Sequence, residues 1–275
     1  MIKNVLSIAG SDPSGGAGIQ ADIKAISASG AYAMAVITAL TAQSTRGVTG
    51  VRLVDPDFVA KQIDTLFADI RVDAVKIGML GSAGITAAVA DALTRQRARR
   101  IVLDPVMVAK GGDRLLAADA VSALTGRLLP LAEVITPNLP EAAALLGLPE
   151  PEDRAAMVAM AKALQRLGPP NVLLKGGHLA GADSPDYLLT PEGGRWLEGP
   201  RLATANTHGT GCTLAAALAA QLAITGDVLE AARCAKTYVA GAISAADRLE
   251  VGSGHGPTHH FHALWGSAGD SDGLC

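Results

Sequence analysis

Six short aliphatic runs punctuate this chain, Asn4–Ala9, Ala33–Thr38, Ala74–Ile77, Arg100–Leu103, Glu133–Ile135 and Asn171–Leu174, and most lead into a polar or glycine-rich segment. A strand with no polar side has no face to give to water, so it must be covered on both sides. Longer stretches rich in Ala and Leu lie between most of them and supply that cover: Gly18–Ser29, Asp57–Phe67, Ser82–Arg95, Asp113–Thr125, Pro140–Leu146 and Ala155–Leu167 read as helices. This alternation predicts an α/β fold, with a central, mostly parallel β-sheet flanked by helices on both faces. Ligands of such sheets bind beyond the carboxyl ends of the strands. Aromatic residues make up only 3% of the chain, so the core is built from Ala, Val, Leu and Ile, which suits close helix–sheet packing.

Downstream, Tyr187–Leu189 and Arg195–Leu197, joined by TPEGG, read as a peripheral β-hairpin. Two Ala-rich helices follow, at about Gly211–Ile224 and Val228–Arg248. No linker marks a boundary, so residues 1–265 are expected to form one domain and residues 266–275 a flexible tail. The most apolar stretches, Ala31–Ala42 and Cys212–Ile224, fall short of the roughly 18 residues that span a bilayer, so no membrane is expected. A net charge of −3 offers no field for a polyanion, so nucleic acid is not an expected partner. Three scattered cysteines, Cys212, Cys234 and Cys275, make no disulfide framework and point to a reducing, cytoplasmic setting.

The segments at the strand ends carry the chemistry. They are GSDPSGGAG (Gly10–Gly18), TAQST (Thr41–Thr45), KIGML (Lys76–Leu80), DPVMVAKGGD (Asp104–Asp113), TPNLPEA (Thr136–Ala142), KGGH (Lys175–His178) and NTHGTGC (Asn206–Cys212). In a parallel sheet these loops converge on one edge. NTHGTGC runs directly into an apolar helix, where a Gly-Thr-Gly turn and the helix N-terminus can cradle a phosphate. It is not a Walker A loop, since the chain has no Gly-Lys dipeptide. The other reading is an ordinary glycine-rich helix entry.

Asn138 and Glu141 are spaced to share one helix face, and equally to form a capping box with Pro140 in the first turn. Asp104 closes an Ile-Val-Leu strand, where a carboxylate can serve magnesium beside phosphates or simply shape the turn before Pro105. Lys175 ends the strand NVLLK, where a buried charge calls for an anion that a triphosphate would supply, unless solvent meets it instead. His259, His260 and His262 lack the spacing of a zinc site and read as packed or hydrogen-bonded residues.

Taken in order, GSDPSGGAGIQAD, ITALTAQ, VKIGML, LDPVMVAKGGD, TPNLPEA, LLKGGH, NTHGTGC and GHGPTHHFHALW resemble the hydroxymethylpyrimidine/phosphomethylpyrimidine kinases of thiamine biosynthesis, from about residue 4 to 265. The resemblance implies a ribokinase-like fold and a homodimer. It also implies transfer of the ATP γ-phosphoryl group to 4-amino-5-hydroxymethyl-2-methylpyrimidine and then to the resulting monophosphate. Carried over by position, Asp22 and Gln43 hold the pyrimidine, with Gly10, Ala17, Met79 and Val106 lining its pocket. Asp104 and Glu141 match magnesium-associated carboxylates, while Asn138, Lys175 and Thr210 match contacts to the ATP phosphates. Gly209, Gly211 and Cys212 match the anion hole. Sugar kinases of this fold carry an aspartate base where Cys212 stands, and a helix N-terminus favours a thiolate, so a base or positioning role is open to it.

Two rival readings remain. A pyridoxal or pyridoxine kinase shares the fold, and Gln43 and Asp22 tilt the choice toward a pyrimidine. A cysteine hydrolase would pair Cys212 with His208 as base, yet the sequence offers no evident carboxylate to orient that histidine. A non-catalytic nucleotide-binding protein is disfavoured by the presence of Asp104, Glu141, Lys175 and Cys212 together.

Overall fold

The computed structural model describes residues 1–107 and 118–265. Its strands are β1 (Asn4–Ala9), β2 (Tyr32–Ile37), β3 (Ala39–Ser44), β4 (Gly47–Leu53), β5 (Ala74–Ile77), β6 (Ile101–Leu103), β7 (Val134–Ile135), β8 (Asn171–Leu174), β9 (Asp186–Thr190) and β10 (Gly193–Leu197). Helices are α1 (Gly18–Ala28), α2 (Pro56–Asp69), α3 (Ala83–Arg95), α4 (Ala118–Ala123), α5 (Leu139–Leu146), α6 (Arg154–Gln165), α7 (Thr210–Thr225) and α8 (Val228–Ser244). The main sheet runs β10-β9-β8-β7-β6-β5-β1-β2, parallel from β2 through β8, with β9 antiparallel to both its neighbours.

Strand alternation sorts the core into two layers. Leu6, Ile8, Val75, Ile77, Ile101 and Leu103 pack with α2, α3 and α6, whereas Val5, Ala74, Val102, Val134 and Leu173 face α7 and α8 together with Ala25 and Ile26 of α1. The three-layer arrangement is the one the apolar strands require. Helix α7 is apolar all round, with every residue from Leu214 to Ala220 buried, because it lies against the sheet between α1 and α8. Its alanines let those neighbours approach closely.

The chain order sets the place of the site. From β1 the chain moves outward to β2, then crosses back to β5 on the other side of β1, so the loops after β1 and β5 part at their carboxyl ends and open a crevice. Between β2 and α2 it makes a separate antiparallel hairpin, β3–β4, with a bulge at Ala42 and Gln43. This flap stands where only a polar segment is expected from sequence. The expected hairpin is present as β9 and β10, and it also extends one edge of the main sheet. The last expected helix stops at Ser244 and finishes as a 3-10 turn at Ala246–Arg248. The start of the helix expected over Asp113–Thr125, the segment Val108–Asp113 and the expected tail 266–275 lie outside the described residues.

Candidate active site

Loops from the carboxyl edge meet around one cavity of about 1580 Å³. The loop after β1 is stitched to both walls of the crevice: the Gly10 amide donates to the Met79 carbonyl at 3.1 Å and the Ser11 amide to that of Ala39 at 2.8 Å. Inside that loop, the Asp12 carboxylate accepts from the Ser14 amide and hydroxyl and from the Ala17 amide, at 2.9, 2.6 and 2.8 Å. A fourth partner is the His208 Nε2, 2.7 Å away. Burial opposes the Asp12 charge, but these hydrogen bonds outweigh it and hold the carboxyl below its usual range.

His208 comes from the turn that opens α7. Gly209 follows in the left-handed conformation, with φ at 76°, and a side chain there would overlap the Gly16 carbonyl oxygen. Glycine is therefore required on two counts, and the two glycine-rich loops lie pressed together. Thr210, Gly211 and Cys212 continue into the first turn of α7 and line the cavity. The Thr210 hydroxyl donates to the Thr207 carbonyl at 2.8 Å.

On one side of the turn, Lys175 Nζ stands 3.0 Å from Asp104 Oδ1 and 4.0 Å from Glu141 Oε2. The lysine's charge is thus met by carboxylates of the protein, a partner that the sequence reading, which weighed a triphosphate against solvent, did not name. Burial works against the ammonium, yet these two carboxylates hold its pKa above the ordinary lysine value. Asn138 and Glu141 do form the capping box of α5, each side chain accepting from the other's amide at 2.8 Å. Both also line the cavity, so the structural and the functional readings of this pair coexist. Burial pushes Glu141 up to about 7, with Asp104 adding repulsion while Lys175 and the Asn138 amide pull the other way. No cluster of three or more His, Cys, Asp or Glu able to enclose a metal occurs among the described residues. Two adjacent carboxylates at a cavity wall suit a magnesium ion whose shell is completed by phosphates and water.

On the other side, Gly10, Ala17, Gln43, Met79 and Val106 line the same cavity. The flap bulge places Gln43 over it, with Oε1 accepting from the Thr41 hydroxyl at 3.3 Å. Asp22 departs from expectation. It is fully buried and does not line the cavity; its two oxygens accept from Lys76 Nζ at 2.9 and 2.7 Å, and from the Ser7 hydroxyl at 2.6 Å. Asp22 therefore belongs to the floor beneath the site. Burial opposes the Lys76 charge, but the Asp22 carboxylate holds it firmly protonated.

Cys212 lines the cavity, half-buried, and burial pushes its thiol up to about 11, with Asp22 and Asp104 adding to the shift. Lys76 and the Gly18 amide act in the opposite direction without overcoming burial. Burial therefore works against the thiolate that the helix N-terminus favours, which leans the choice between a base and a positioning role toward positioning.

Two residues of the site sit inside recognised segments without being singled out by sequence. Asp12 supplies the carboxylate that orients His208, and Lys76 is the one charge within the apolar strand AVKI, which is itself the signal of a buried partner. The cysteine hydrolase reading gains its missing carboxylate but not its pair: His208 bonds Asp12, and Cys212 makes no hydrogen bond to it. The histidine-rich segment is packed structure. His260 Nε2 is 3.1 Å from the Thr213 hydroxyl, the Tyr238 hydroxyl donates to the His260 carbonyl at 2.7 Å, and His259 meets Trp265 edge-on.

Known proteins share this sequence and this fold. The family model described as phosphomethylpyrimidine kinase matches residues 12–259. A hydroxymethylpyrimidine/phosphomethylpyrimidine kinase of Salmonella typhimurium is 54% identical over 262 residues, covering 95% of this chain and 98% of the relative. The enzyme of that name from Escherichia coli is 53% identical, with the same coverage. Among solved structures, the ADP complex of Bacillus subtilis pyridoxal kinase superposes with a TM-score of 0.87 at 35% identity, covering 96% of this chain and 99% of the other. A phosphomethylpyrimidine kinase from Clostridium difficile gives 0.78 at 40% identity, covering 88% and 99%. The fold is thus that of the ribokinase-like vitamin kinases, and the chain belongs to the phosphomethylpyrimidine kinase family.

Proposed function

We propose that this protein transfers the γ-phosphoryl group of ATP to the hydroxymethyl oxygen of 4-amino-5-hydroxymethyl-2-methylpyrimidine, and then a second phosphoryl group to the monophosphate so formed. The observation that carries this reading is the single cavity joining the wall of Gly10, Gln43 and Met79 to the Gly209–Cys212 turn, Lys175 and Asn138. An aminopyrimidine presents ring acceptors and an amino donor along its edge, and the Gln43 amide can meet them. On the nucleotide side, the amides of the turn and the α7 dipole face the phosphates, with Lys175 beside them. Asp104 and Glu141 are the residues that would hold magnesium, which when bound offsets charge on the transferring phosphoryl group.

Phosphoryl transfer passes through a loose transition state, so orientation and charge stabilisation by this wall matter more than a strong base. Cys212, as a thiol, positions the acceptor oxygen in the anion hole. The reading includes a single domain over residues 1–265 and a cytoplasmic setting, supported by Cys212 and Cys234 being unpaired and by the absence, among the described residues, of any helix long and apolar enough to cross a membrane. It also includes a homodimer, supported by the exposed Leu40, Val51 and Leu53 of the flap.

A pyridoxal kinase is the second reading, favoured by the superposition on pyridoxal kinases, including a Staphylococcus aureus complex with AMP-PCP and pyridoxal at a TM-score of 0.87. Following ATP consumption with the pyrimidine alcohol, its monophosphate and pyridoxal decides between them. The pyrimidine reading requires the first two to be turned over with higher kcat/KM than pyridoxal; a preference for pyridoxal overturns it.

A further inference from the structure

The two proposed transfers make unequal demands on the acceptor side of the cavity. In the first, the acceptor is a neutral alcohol. In the second, an unesterified oxygen of the acceptor phosphate bonds to Pγ, the bond from Pγ to the β,γ-bridging oxygen breaks, and ADP leaves with that electron pair. A phosphate dianion attacks without a proton to lose, but it must approach another anion. Like charges at contact distance repel strongly in a protein cleft, so the second transfer needs a positive or hydrogen-bond-donating group on the acceptor side that the first does not.

The described residues offer one such group. Of the cavity's cation-capable side chains, Lys175 lies against Gly211 of the phosphate turn, and His178, Arg201, Arg233 and Lys236 come from beyond β8 and from α8. His208 alone among them stands against the Gly10–Gly18 loop and the flap, with its Nε2 2.7 Å from Asp12 and 3.5 Å from the Gln43 amide nitrogen. It also immediately precedes the Gly209–Cys212 turn. His208 thus touches the ring-side loop and flap through Asp12 and Gln43 and adjoins the phosphate turn in the chain, a position between the two halves of the cavity.

We propose that His208, held by Asp12 beside Gln43, recognises the phosphate of the monophosphorylated acceptor in the second transfer. The chemistry of the pair suits the task. An ionised Asp12 only accepts, so the shared proton resides on His208 Nε2 and the ring's tautomer is fixed. Nδ1 then has no hydrogen-bond partner among the described residues, and on taking a proton it can donate a charge-assisted bond to a phosphate oxygen. Asp12 is itself fixed by Ser14 and Ala17, so the imidazole is presented from a rigid loop rather than a free side chain.

This inference rests on the reading that one site performs both transfers, and the experiment separates the two claims. With the full chain, kcat/KM is measured for the pyrimidine alcohol and for its monophosphate in the wild type, in H208Q and, should that variant be poorly folded, in H208N. The expected result is a loss on the monophosphate at least tenfold larger than on the alcohol, residing mainly in KM for the acceptor, with KM for ATP little changed. Equal losses on the two acceptors, which loosening of the Asp12 loop alone would produce, overturn the role of His208 and leave the function standing. A larger loss on the alcohol overturns it as well. A wild-type protein that phosphorylates neither acceptor removes the underlying reading, and this inference with it.

Discussion

A lysine inside a parallel sheet is tolerated only where its charge is met, and Lys76 meets it through both oxygens of Asp22, with neither side chain reaching solvent. Removing one partner strands the other charge in the core. K76M is therefore expected to cost about 3–5 kcal/mol of unfolding free energy, whereas an apolar double replacement, K76M with D22L, restores much of it. Urea denaturation of the three proteins checks this, and a double variant as unstable as K76M would contradict it. Above this floor the same charges bear on Cys212 without making it a thiolate. C212A should lower kcat by less than the ~10²–10⁴-fold that a general base supplies and leave KM for ATP close to wild type, as steady-state kinetics would show. Sequence foresaw the gathering of residues, since Lys175, Asp104, Asn138, Glu141 and the Gly209–Cys212 turn all line one cavity. Asp22 could not be placed from sequence, because position in a motif does not say whether a helix side chain points into a cavity or beneath it, and only the contact with Lys76 decides.

At the scale of elements, the flap and the C-terminal segment act together. The Thr45 carbonyl accepts from the His255 amide at 2.9 Å, the Gly254 amide donates to the Thr45 hydroxyl at 3.1 Å, and Arg46 reaches the Ser253 hydroxyl at 2.7 Å. These ties hold the hairpin that carries Gln43. A side chain at Gly254 would overlap the Thr45 carbonyl, so G254A should detach the flap tip and raise KM for the acceptor several-fold while sparing KM for ATP. The flap was illegible in sequence because Ala-Leu-Thr-Ala-Gln-Ser lacks a dense β-branched pattern and its apolar and polar residues do not alternate, although exposure does alternate along the strand. The same C-terminal segment docks on α7 through His260 and Thr213. Burial lowers the His260 pKa to about 3, against about 6.5 in an unfolded chain. Between those values the unfolded state binds a proton that the folded state refuses, so stability is full above about pH 6.5 and falls toward pH 3, by up to about 1.4 kcal/mol per pH unit. Thermal unfolding across that range should show the slope, and H260Q should flatten it.

For the molecule as a whole, the alternation of apolar strands and helices was enough to specify the parallel sheet, its two covers and the edge where function gathers. The order of strands was not, since apolar runs of similar composition do not announce which neighbour each will take. Nor did the β9–β10 segment reveal that it would extend the sheet. What the fold leaves uncovered bears on assembly. Leu40, Val51 and Leu53 are each about half exposed on the flap (55%, 45% and 48%), and Phe58 at the start of α2 is 55% exposed. By the β3–β4 register Leu40 lies on one face of the hairpin and Val51 and Leu53 on the other, so both faces of the protruding flap carry apolar side chains that a partner can cover. A hairpin edge left open also tends to recruit another strand, and a second copy of the same flap can supply one. The full chain should accordingly run as a dimer in light scattering coupled to size exclusion. Replacing Leu40 and Val51 together by Asp should shift it toward the monomer and, because Gln43 lies on the same strand as Leu40, weaken acceptor binding more than ATP binding. A wild-type monomer at micromolar concentration, or a dimer indifferent to both substitutions, would place the assembly surface elsewhere.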